Sequence, residues 1–77
     1  MTIPVHVDCY AGHRGEQTPR AFAIGDRRID VADVVDAWLA PEHRYFKLTD
    51  MQGDTYIVRH DVAGDRWELT MFRSASG

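Results

Sequence analysis

Apolar and polar residues alternate along most of this 77-residue chain. Ile3, Val5, Val7 and Cys9 share one side of the first segment, and Thr2, Pro4, His6, Asp8 and Tyr10 take the other. Successive strand side chains point to opposite faces, so this pattern predicts a half-buried strand, with Pro4 near its start or on an edge. Residues 11–19, Ala-Gly-His-Arg-Gly-Glu-Gln-Thr-Pro, break the alternation and predict the longest loop. A second strand follows from Arg20 to Ile24, with Phe22 and Ile24 opposite Ala21 and Ala23. Gly25-Asp26 is a two-residue hairpin turn, and Gly at the first central position suits type II′. The third strand begins at Arg27 or Arg28, with Ile29 and Val31 pointing the same way.

The stretch from Asp30 to Leu39 admits two readings. Val31, Val34, Val35, Trp38 and Leu39 fall at helical spacing, with Asp30 as a cap and Pro41 as a stop, which gives a short helix over 31–39. Against it, three of these five residues are β-branched and the segment runs straight out of a hairpin strand. A long bent strand with a bulge near Ala32-Asp33 is preferred. It turns Val34 and Trp38 inward and leaves Asp36 inward as a cost.

Three further strands are expected. Arg44–Thr49 places Phe46 and Leu48 inward, Thr55–His60 places Tyr56 and Val58 opposite Ile57 and Arg59, and Arg66–Phe72 places Trp67, Leu69 and Met71 inward. Asp50-Met51-Gln52-Gly53-Asp54 and Val62-Ala63-Gly64-Asp65 are the turns between them. Short strands with turns this close imply a mainly β fold: one antiparallel meander of five to six strands, curled into a small barrel or roll over residues 1–73. Trp38, Trp67, Phe22, Phe46 and Phe72 are expected inside, and residues 74–77 form a frayed tail. The alternative is an α+β domain carrying the helix at 31–39.

Charge bears on the choice of partner. Nine Lys and Arg against twelve Asp and Glu give a net charge of -3, without the basic footprint that phosphate binding requires. The balance is uneven: residues 1–42 are acidic, whereas residues 43–77 hold as many cations as acids. The single cysteine, Cys9, allows no intramolecular disulfide, no signal peptide is visible, and no apolar run is long enough to span a membrane. A cytoplasmic location is expected.

Chemistry is sparse. His6-x-Asp8 and His60-Asp61 lack the paired spacing of zinc ligands, so scattered surface histidines are the better reading. Cys9 ends an apolar alternation and reads as a small buried hydrophobe, although His13 and Arg14 stand on the following loop. Ser occurs only at 74 and 76, which removes a serine triad. Gly12-His13-Arg14-Gly15-Glu16 matches no phosphate-binding loop; its length still makes His13, Arg14 and Glu16 candidate binding residues. Tyr45, Lys47, Arg59 and Arg66 lie on the outward face of the last three strands. There an aromatic and cations suit a single-strand nucleic-acid platform, while neighbouring acids suit a solvated face. Asp30, Asp33 and Asp36 lack the pattern of a calcium loop. No catalytic residue, cofactor or metal is predicted.

Cys9-Tyr10-Ala11-Gly12, Arg14-Gly15-Glu16-x-Thr18-Pro19-Arg20, Val34-Val35-Asp36-x-Trp38, Tyr45-Phe46-Lys47, Tyr56-Ile57-x-Arg59 and Trp67-Glu68-Leu69 together resemble a group of small, stand-alone cytoplasmic bacterial proteins, a domain of unknown function. The resemblance spans most of residues 5–72 and brings no activity or functional residue with it. Some similar domains lie near or within DNA-repair polymerase accessory proteins. The expectation is a non-enzymatic module that binds a protein partner or its own copy. The alternative is a weak nucleic-acid binder, linked to DNA repair, and a third reading is a thiol enzyme or sensor using Cys9 with His13.

Overall fold

In a computed structural model that describes residues 2–10 and 18–75, six strands follow one another with no helix among the described residues. They are β1 (Ile3–Tyr10), β2 (Thr18–Ile24), β3 (Arg27–Leu39), β4 (His43–Asp50), β5 (Thr55–Asp61) and β6 (Arg66–Arg73). Each pairs antiparallel with its neighbour in sequence, and β1 pairs with β6 to close a barrel. A meander with one apolar face hides that face by curling, and closure gives the sheet's edges a partner. The expected strands are all present, but β2 begins at Thr18 rather than Arg20, with Pro19 fully buried. No helix is long and apolar enough to cross a membrane among the described residues. His13, Arg14 and Glu16 lie outside the described residues.

The segment 31–39 is strand, so the helical alternative is overturned. The first part of β3 pairs with β2 up to Ala21↔Asp30, and the second pairs with β4 from Val31↔Asp50 to Leu39↔Arg44. A bulge lies between Val31 and Asp33, as expected, and a second lies between Val34 and Asp36. Each bulge shifts the alternation by one residue. The second therefore undoes the inward placement expected for Trp38 and Asp36: both are exposed, Trp38 at 40%. With two bulges the core-side positions fall three apart, at Val31, Val34 and Ala37, while Val35, Trp38 and Leu39 of the helical stripe are exposed.

The core comprises Val5, Phe22, Ile29, Phe46, Leu48, Tyr56, Val58 and Leu69, with Trp67 packed against it. Phe22 meets Tyr56 edge-on at 5.1 Å. Phe72, expected inside, is 52% exposed. It leans on Tyr56 at 5.1 Å, but the β1 ladder ends at Ile3↔Leu69, so β1 does not cover it. Gly25 takes φ +58 and Asp26 stays outside the positive region, as a type II′ turn requires. Asp50 organises the β4–β5 turn: its Oδ1 accepts from the amides of Gln52 (2.9 Å) and Asp54 (3.0 Å), and its Oδ2 accepts from the Tyr56 hydroxyl (2.8 Å). Past β6, the amide of Ala75 donates to Asp54 Oδ1 at 2.8 Å, which anchors the expected tail as far as that residue.

Candidate functional site

Register places the outward side chains of β3 to β6 in rows across the barrel. One row runs Trp38, Tyr45, Arg59, Glu68; the next runs Asp36, Lys47, Ile57, Met71, where Met71, expected inside, is turned outward by the register shift that follows Leu69. Three of the expected residues, Tyr45, Lys47 and Arg59, are therefore immediate neighbours. Trp38, which sequence reasoning placed inside, joins them by stacking on Tyr45 with ring centroids 5.3 Å apart and planes 1° from parallel. The signal for it was Asp36 itself: counting only one bulge would have forced that carboxylate inward, and a second bulge removes the conflict. The Asp36 Oδ1 instead accepts from the amide of Ala37 at 2.8 Å.

The cations of this face are largely neutralised within the chain. Arg59 Nε and Nη2 both donate to Glu68 Oε1, at 3.0 and 2.9 Å. Hydrogen bonds to Glu68 and then Tyr45 hold the guanidinium charge more firmly than usual. The bond from Arg59 likewise keeps the Glu68 carboxyl below its ordinary range, helped by the Thr2 hydroxyl donating at 3.1 Å. Arg66 lies on the same side one row further on, with Nη2 3.6 Å from Asp61 Oδ2. Asp61 is itself held low, first by the Gly64 amide. Arg20 and Arg28 both reach Asp8 on the far side of the barrel, and Arg28 also reaches Asp30. Lys47, Asp33 and Asp36 form no ion pair among the described residues. Around one corner, Leu39 (76% exposed) and Val62 (56%) flank an apolar groove between the β3–β4 and β5–β6 turns.

His60, read as a surface histidine, is buried. It has the same parity as Tyr56 and Val58 and so points inward near one end of the barrel. Its ring stacks on Trp67 at 4.2 Å, and its Nε2–H donates to Asp65 Oδ1 at 2.8 Å. Asp65 adopts φ 49, a left-handed conformation that turns its carboxylate back toward the ring. Cys9 is half-buried beside the groove where β1 and β6 diverge, a space lined also by Val7, Asp65 and Trp67. Burial, then the charges of Asp8 and Asp65, push its thiol up, away from the reactive thiolate. No three His, Cys, Asp or Glu side chains converge to hold a metal ion among the described residues. Comparison with protein-family models, with curated proteins and with solved structures finds no match.

Proposed function

We propose that this chain is a non-enzymatic, cytoplasmic docking module that binds another protein, or a second copy of itself, through the outer face of β3 to β6. The observation that carries this is the outward Trp38–Tyr45 stack beside an Arg59 already paired with Glu68. Interface cores favour Trp, Tyr, Met and Arg, and their energy concentrates in a few such anchors. Covering the exposed two-fifths of Trp38 is worth roughly 2.5 kcal/mol, taking about 250 Å² for the side chain and ~25 cal/mol per Å². A polyanion gains less here, because its phosphates must compete with Glu68 and Asp61 for the arginines. The residues that carry the resemblance to small bacterial proteins include Trp38, Tyr45, Lys47, Arg59 and Glu68 of this same face.

The test compares wild type with Trp38→Ala, an exposed position, after circular dichroism has shown both folded. A protein retained by the wild-type chain and released by Trp38→Ala supports the reading; equal capture by both refutes it. Fluorescent single-stranded oligonucleotides are titrated in parallel at low salt. Binding that weakens steeply with added salt and needs Lys47 and Arg59 transfers the face to nucleic acid.

A further inference from the structure

We infer that the face docks against a second copy of this chain, as a two-fold pair in which Asp36 of each copy meets Lys47 of the other. This rests on the docking role proposed above and names its partner. The face carries charge of both signs with no net excess. Arg59 and Glu68 cancel each other, while Lys47 and Asp36 occupy adjacent strands with no ion-pair partner among the described residues. A partner of single-sign charge would satisfy one of these and repel the other. A two-fold axis between β3 and β4 satisfies both at once, because it carries each strand of the pair over the other's counterpart. The same axis brings the two Trp38–Tyr45 stacks together and covers both indoles. The Asp36 side chain caps the Ala37 amide and two bulges interrupt β3. Contact through the faces is therefore favoured over a continuous sheet formed edge to edge.

Size sets the expected strength. An axis between β3 and β4 lays these two strands over their counterparts; about 4.8 Å apart, with about three outward rows, they present roughly 200 Å² per copy, or about 400 Å² in all, smaller than the usual specific interface. The pair is therefore expected to form as the concentration approaches millimolar, not at nanomolar.

Sedimentation of the full chain across micromolar to millimolar concentration is expected to show a monomer giving way to a dimer. Asp36→Lys alone and Lys47→Asp alone each place like charges in both contacts, and each is expected to weaken the dimer about tenfold or more. An equimolar mixture of the two variants restores opposite charges at both contacts and is expected to dimerise like wild type. A wild-type chain that stays monomeric at millimolar concentration overturns the inference, as do single variants that dimerise unchanged or a mixture that stays monomeric. If the chain is monomeric while Trp38-dependent capture of another protein persists, self-docking fails and the broader docking reading stands.

Discussion

The contact between Tyr56 and Asp50 makes a quantitative claim about stability. The phenol ring lies in the core between Phe22 and Phe72, and its hydroxyl donates to a carboxylate that also holds two amides of the β4–β5 turn. Replacing Tyr56 with Phe keeps the ring packing and removes only that donor. A hydrogen bond to an ionised acceptor contributes roughly 1.5–3 kcal/mol. Asp50 is partly open to water, so the lower end applies: a loss of about 1.5 kcal/mol, or roughly 6–12 °C in Tm for a domain of this size. Burial, reinforced by the bond to Asp50, pushes the phenol from 10.0 up to about 12. The folded chain thus keeps Tyr56 neutral where the unfolded chain begins to ionise it. This stabilisation is complete below pH 10 and lost as pH rises to about 12, a change of roughly 2.7 kcal/mol. Denaturant unfolding followed by tryptophan fluorescence at neutral pH and across the alkaline range measures both quantities. Tyr56→Phe should start lower and fall less steeply above pH 10. Equal stability at neutral pH, with parallel alkaline curves, would refute the reasoning.

Other outcomes follow from the same geometry. His60→Ala removes the ring stacked on Trp67 and leaves Asp65 without its partner; a loss of about 2–3 kcal/mol is expected in denaturant unfolding. Gly25→Ala meets no atom within 4 Å, so its cost should be backbone strain alone, roughly 2–3 kcal/mol at a type II′ position that side-chain-bearing residues rarely adopt, read as a clear drop in Tm. Asp50, Asp61 and Glu68 have lowered folded pKa values. For Asp50, burial works against this, and bonds from Tyr56 and turn amides outweigh it. Their stabilisation is present above the usual carboxylate range and lost below it, so acid titration should show stability falling below about pH 4. Cys9 should react with a thiol reagent at neutral pH far more slowly in the folded chain than after denaturation.

The barrel was legible because alternation runs through most of each strand and several turns carry Gly or Asp where the backbone needs them, although the β1–β2 and β5–β6 ladders each hold a register shift as well. β3 was harder to read because bulges leave no mark of their own in sequence. They alter which side a residue faces without altering its type, so Trp38 was misplaced although the strand itself was foreseen. Phe72 was misplaced for a different reason. A register shift past Leu69 gives it the inward parity of Tyr56, but how far a neighbouring strand extends over it depends on a ladder between residues distant in the chain. His60 shows the converse error, since a polar residue type concealed an inward parity that Tyr56 and Val58 already defined. For the candidate site, the local neighbours Tyr45, Lys47 and Arg59 could be read directly. The neutralisation of Arg59 by Glu68 required the β5–β6 register as well.

Five of the six strand pairings join consecutive segments, whereas the sixth, Ile3–Val5 with Trp67–Leu69, spans nearly the whole chain. Drawing together residues some 66 positions apart costs roughly 4 kcal/mol of loop entropy, and only three residue pairs repay it. Hairpins can zip in microseconds, so this last union of distant ends is the slow, reversible step. The native ensemble should therefore breathe as an open ribbon along that one line, with Val5, Trp67 and Leu69 exchanging their amide hydrogens before β4 and β5 do.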